Sequence, residues 1–160
     1  MADANSPKQS GLIPHLVCGS SADAIEFYKK AFGAEEICRI PAPDGKRMMH
    51  AAISIDGHQI MLADDFPEYC GGKSQTPHAL GGTPVTIHRY VDDCDAAIER
   101  AEQAGATVTM PPADMFWGDR YGQVTDPFGH VWSLATHQKD LTPEEIVEGM
   151  HAAFAAGPPH

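Results

Sequence analysis

Two histidines, His15 and His88, stand at the same place in a frame that the chain writes twice. His15, Ala24, Ile25, Glu26 and Ala31 match His88, Ala97, Ile98, Glu99 and Ala104 at a constant offset of 73. The run Gly57-His58-Gln59-Ile60-Met61-Leu62-Ala63 returns 72 residues later as Gly129-His130-Val131-Trp132-Ser133-Leu134-Ala135, keeping Gly-His and Leu-Ala. An imidazole titrates near neutrality, so His15 and His88 are candidates for general acid–base work or for lining a ligand pocket. His50 lies across a strand-like alternation from Ala51, Ile53 and Ile55, so it either reaches a cavity or serves the structure. Trp117 and Tyr121 flank Gly118-Asp119-Arg120, which reads as an aromatic wall with Arg120 meeting a ligand anion, or as a loop ion pair between Asp119 and Arg120. His58 and His130 follow hairpin glycines and read as turn residues bonded to backbone. No Ser-His-Asp order, Gly-rich nucleotide loop or His-Glu-x-x-His helix is present.

The elements that must hold these side chains follow from apolar periodicity. A strand over Leu12 to Cys18 leads to a helix capped by Ser20 or Ser21, with Asp23 in its first turn and Gly33 as its stop. Strands follow over Glu36–Ile40, Met48–Ile55 and His58–Ala63, the last two joined by the hairpin signal Asp56-Gly57. The plan repeats: a strand over Pro84 to Val91, a helix capped by Asp92 or Asp93 and stopped at Gly105, then strands over Thr107–Met110, Tyr121–Thr125 and His130–Ala135. Pro111 to Arg120 reads as a loop. Residues 1–10 form a disordered arm, 11–67 and 83–138 the two βαβββ units, 68–82 a linker rich in Gly and Pro, and 139–160 an amphipathic helix and tail. Such a unit is about 55 residues long, too long for a solenoid repeat and suited to a half-domain that buries its apolar face against its twin.

Composition narrows the partners. Eleven Lys+Arg against 22 Asp+Glu give a net charge of −11, which disfavours nucleic acid and anionic membranes as partners. No apolar run approaches membrane length. Cys18, Cys38, Cys70 and Cys94 are scattered without a Cys-x-x-Cys pair, as in a reduced, cytoplasmic protein.

The duplicated unit resembles the glyoxalase/bleomycin-resistance/dioxygenase group, the vicinal oxygen chelate superfamily. The resemblance rests on Ala24-Ile25-Glu26-Phe27-Tyr28-Lys29-Lys30-Ala31-Phe32-Gly33-Ala34, on Asp44-Gly45-Lys46 before His50-Ala51, and on Phe116-Trp117-Gly118-Asp119-Arg120-Tyr121-Gly122 before Asp126-Pro127-Phe128-Gly129-His130-Val131-Trp132. It is closest to the PhnB-like branch and covers residues 11 to 138. The resemblance implies an α+β fold of two tandem βαβββ modules curling into an open cup, small-molecule binding there, and a homodimer.

The superfamily's metal enzymes carry a His on a module's first strand and a Glu on its last. Carried over, the last-strand positions are Met61 and Ser133, and the first-strand positions Ile13 and Thr86, none of which suits a hard divalent cation. His15 and His88 lie two residues further, on the same strand face. The expected site is therefore His15, His50, Met61, His88, Trp117, Arg120, Tyr121 and Ser133, with no metal cofactor. Three readings stay open: a metal-free binding protein, an enzyme using a rearranged metal site or His15 and His88 as acid and base, and an interaction dimer with a vestigial cup.

Overall fold

A computed structural model describes residues 11–155 and Gly157. The arm over 1–10 and most of the terminal tail lie outside the described residues. In the first module β1 (His15–Cys18) leads into α1 (Ser21–Phe32), then β2 (Glu35–Pro41), β3 (Met48–Ile55) and β4 (His58–Asp64). The second repeats the order with β5 (Thr86–Tyr90), α3 (Cys94–Ala104), β6 (Thr107–Asp114), β7 (Asp119–Thr125) and β8 (Val131–His137). Each forms a four-stranded sheet of the same topology, β1-β4-β3-β2 and β5-β8-β7-β6, in which only the first and last strands of a module run parallel. This is an α+β fold of two tandem βαβββ modules.

Local chemistry accounts for the boundaries. The Ser20 hydroxyl accepts from the Asp23 amide at 3.3 Å, and Asp93 does the same for Ala96 at 3.0 Å, so each helix satisfies one of its unpaired N–H groups. Gly33 (φ 69°) and Gly105 (φ 119°) end the helices in the left-handed region, where a Cβ is strained. Asp56 (φ 51°) and Gly57 (φ 80°) turn the first hairpin in the conformation that the pair Asp-Gly favours.

Three expectations need correction. The first strand opens at His15 rather than Leu12, whose side chain is exposed. The linker is not wholly irregular: it carries a short 3₁₀ turn at Pro67–Tyr69 and a one-turn helix, α2 (Pro77–Leu80). Pro111 to Arg120 is not a loop either. β6 runs on through Pro111 and Pro112 to Asp114, and β7 begins at Asp119. Prolines are tolerated there because β6 is an edge strand whose register slips twice, between Val108 and Met110 and between Met110 and Ala113. The terminal helix, α4 (Pro143–Ala155), forms as expected but buries no residue. No described helix is long and apolar enough to cross a membrane.

Both modules share one core. α1 turns Ile25, Phe27, Tyr28 and Phe32 inward, and Trp132 of β8 packs against Tyr28 and Phe32 with ring centroids 5.4 and 4.6 Å away. The aromatic seam is tied by polar bonds. Buried Asp126 accepts from Tyr28 Oη at 2.6 Å, from Trp132 Nε1 at 3.0 Å and from the amides of Phe128 and His130. Burial and that carboxylate hold the Tyr28 hydroxyl well above its ordinary value, so it stays a donor. His130 Nε2 meets the Val17 carbonyl at 3.0 Å, and Arg89 pairs with Asp56. Two modules buried against each other this way form one cooperative unit.

Candidate functional site

Helices cover one face of each sheet and leave the other open. On the first module the open face carries His15 and Val17 from β1, Met61 from β4 and His50 from β3, while Leu16, Leu62, Ala51 and Ile53 turn to the core. His15 stands directly opposite Met61, and its ring centroid lies 6.3 Å from that of His50. Neither imidazole hydrogen-bonds another described residue. Partial desolvation at this wall, reinforced by His50, lowers the His15 pKa below its ordinary value although the residue as a whole remains exposed. At pH 7 it is a neutral ring, able to accept a proton.

On the second module the equivalent positions are occupied differently. His88 stands opposite Ser133, and its Nδ1 shares a 2.7 Å hydrogen bond with the Ser133 hydroxyl. Beside it runs a file of rings: His88 to Tyr90 at 4.8 Å, His88 to Tyr121 at 6.1 Å and Tyr121 to Trp117 at 5.6 Å between centroids. Behind the rings lies Asp119, only 4% exposed. Its carboxylate accepts from Tyr90 Oη at 3.2 Å, Trp117 Nε1 at 3.1 Å and His137 Nδ1 at 2.8 Å. His137 also gives its Nε2 to Asp140 at 2.8 Å, so both nitrogens face carboxylates and the imidazolium is favoured. The hydrogen bonds to Asp119 and then Asp140 raise its pKa.

A cleft of ≈ 530 Å³ runs between the two modules, walled by His15 and Leu16 on one side and Thr86, His88, His130 and Val131 on the other. The structure thus brings His15 and His88 to one cavity, with His50 and Met61 next to the first and Ser133, Tyr121 and Trp117 next to the second. Arg120 is not with them. It points to the helix-bearing face and is bound by Asp95 of α3 and by Asp114. The alternative of an Asp119–Arg120 pair also fails. Both belong to β7, where consecutive side chains take opposite faces. Asp119, Tyr90 and His137 are site residues that sequence reasoning passed over or assigned elsewhere. Counting in twos from His88 to Tyr90 and from Ser133 to His137 would have found two of them.

A model of the glyoxalase/bleomycin resistance protein/dioxygenase superfamily matches residues 12–134. The chain belongs to this superfamily. The protein Rv0887c of Mycobacterium tuberculosis is 54% identical over 142 residues, spanning 89% of this chain and 83% of its own length. Among solved structures, TioX from Micromonospora sp. ML1 superposes with a TM-score of 0.61 at 28% identity, covering 81% of this chain and 99% of TioX. The Arabidopsis thaliana At5g48480 product gives 0.62 at 28%, covering 79% and 98%. A Listeria monocytogenes fosfomycin resistance protein, solved as a mutant with Mn(II) and a phosphonic acid, shares this fold at 21% identity and a TM-score of 0.60, covering 89% of this chain and 99% of its own.

Superfamily membership raises the question of a divalent metal, and the donor set answers it poorly. Strand register places His15 opposite Met61 and His88 opposite Ser133, whereas Thr86 faces Val131 and Ile13 precedes β1. Each imidazole thus stands directly opposite the position carried over from the family's last strand. What is missing is the carboxylate on each last strand. A thioether and a hydroxyl already bonded to His88 supply no anionic oxygen for a hard cation.

Proposed function

We propose that this chain binds a small organic ligand in the cleft between its modules, without the hard divalent cation of its metal-dependent relatives. The observation that carries the reading is that His15 and His88, each standing opposite a side chain that is no carboxylate, Met61 and Ser133, both line one ≈ 530 Å³ cleft. A cavity of that size suits a drug-sized molecule. His15, His50 and Met61 would line one wall and His88, Ser133, Tyr121 and Trp117 the other. Placement in the PhnB-like branch rests on Asp44-Gly45-Lys46 before His50-Ala51 and on Phe116-Trp117-Gly118-Asp119-Arg120-Tyr121-Gly122 before Asp126-Pro127-Phe128-Gly129-His130-Val131-Trp132. A homodimer is supported by apolar side chains left exposed, among them Ile40, Val85 and Phe154. Four free cysteines suit a reducing, cytoplasmic setting.

A second reading, proton-transfer catalysis, is favoured by two imidazoles that line one cleft, His15 with its lowered pKa and His88, whose Nδ1 is bonded to Ser133. One set of measurements separates the two. Protein purified without chelator should carry well under one equivalent of divalent metal. A small-molecule library screened by thermal shift should yield ligands that stabilise the native state by mass action. The double variant His15→Ala/His88→Ala should lose affinity for those ligands in the binding reading, and turnover at retained affinity in the catalytic one. Stoichiometric divalent metal in the cleft would falsify both.

A further inference from the structure

We infer that the ring file of the second module, which reaches the cleft at His88, is a cation–π surface, so that this open face takes a planar ligand bearing a positive charge and rejects the anionic analogue. The inference rests on the binding reading above and adds the charge class of the ligand. No lysine lies on any strand, and the three strand arginines leave the open faces: Arg39 for Glu26 and Glu36, Arg89 for Asp56, Arg120 for Asp95 and Asp114. The carboxylates left on the open faces are Asp119 and, at the periphery opposite Ser54, Glu35. The cationic side chain that β8 adds to that face, His137, is already held between Asp119 and Asp140, so a ligand anion would have to compete with two carboxylates for it.

The rings are arranged for the opposite charge. His88, Tyr90, Tyr121 and Trp117 form a continuous file with centroid spacings of 4.8 to 6.1 Å, and Tyr90 is 60% exposed. A cation within about 6 Å of such a ring face is attracted by its quadrupole, most strongly by indole and phenol. Asp119 sharpens this. Its carboxylate draws the Tyr90 O–H and the Trp117 N–H, and a donor bonded to an anion leaves more electron density on its own ring. Because Asp119 is almost wholly buried, water screens its field little. It acts as a positioning and polarising residue behind the rings rather than as a direct contact.

The test uses three planar probes of one shape and different charge: N-methylquinolinium, its uncharged isostere α-methylnaphthalene, and α-naphthalenesulfonate. Each is titrated into the full chain by NMR, following the aromatic resonances of Tyr90, Tyr121 and Trp117. The cation should bind roughly tenfold tighter than the neutral isostere, and the sulfonate weakest. Tyr90→Phe keeps the ring but removes its bond to Asp119, and should shrink the cation-to-neutral ratio without abolishing binding. Asp119→Asn should shrink it further, with unchanged amide spectra elsewhere reporting that the variant folds. Equal affinity for all three probes, or a ratio unchanged in Tyr90→Phe, overturns the charge inference while leaving the cleft as a binding site. Binding by none of them removes both.

Discussion

The two open faces share a backbone plan and almost none of their chemistry. On the first, the imidazoles of His15 and His50 face each other without a hydrogen bond and Met61 lies between strands. On the second, the rings are tied into hydrogen bonds: His88 with Ser133, and Tyr90, Trp117 and His137 with Asp119. The repeated frame explains how both arose. Its constant residues serve the scaffold, since Leu62, Leu134 and Ala135 are fully buried and Gly57 and Gly129 turn with positive φ. The variable slot just before Leu-Ala faces the cup and holds Met61 in one copy and Ser133 in the other. The two copies agree on the side that folds and differ on the open side.

The comparison extends to the seam, where the largest effect is expected. Trp132 and Ile60 occupy matching slots of the frame, but only Trp132 packs into the other module and bonds Asp126. Trp132→Ala should cost about 3–5 kcal/mol in urea unfolding and exceed Ile60→Ala. An Ile60→Ala loss as large or larger would remove the special status of the second copy.

Next come the hairpin aspartates. Asp126→Asn leaves a buried carboxamide among four donors and should cost about 1–3 kcal/mol, whereas Asp56→Asn, whose partner Arg89 is an exposed-side pairing, should stay within about 1 kcal/mol. Similar losses would mean that the two turns do the same job.

Acid and base should strain opposite modules. His15 titrates below its ordinary 6.5, so the unfolded chain binds its proton more readily, and its contribution to stability is lost as pH falls from above 6.5 toward the folded pKa. His137 titrates above 6.5, so its contribution is complete below that value and fades as pH rises through the folded pKa. His15→Gln should flatten the acid limb of the stability curve and His137→Gln the alkaline limb. Exchange of those limbs between variants would reverse the assignment.

The smallest effect belongs to Ser133→Ala. It frees His88 Nδ1 at a cost of about 1 kcal/mol or less and should change the tautomer balance of that ring, read from its imidazole nitrogen chemical shifts by NMR. Unmoved His88 nitrogen shifts would show that the hydroxyl does not orient the ring.

Much of the scaffold was legible because it obeys periods and punctuation. Ser20, Gly33, Asp56-Gly57, Asp93 and Gly105 mark their boundaries within a residue or two, and the offset of 73 aligns β1 with β5. The site was legible only where the strand period was applied consistently. His15 and His88 share a face by alternation, but which residues stand opposite them, Met61 and Ser133, follows only from strand register. Arg120 was misplaced because two bulges extend an edge strand through prolines that read as loop, and a residue in a strand must choose a face. Asp119 was hidden for a related reason: its donors come from β5, β8 and the β6–β7 turn, which no local pattern connects.

The aromatic seam has a further consequence for how such a chain can be cut. Gly71 and Gly72 both adopt positive φ, with open space around them, so a nick there crosses only turn hydrogen bonds such as Gly72 N–H to the Pro67 carbonyl and leaves Pro77 seated against Gly129. Either fragment alone would show water a stripe of rings, Tyr28 and Phe32 on one and Trp132 on the other. Mixed, the two polypeptides should find each other and rebuild the molecule, whereas neither would stay dispersed by itself.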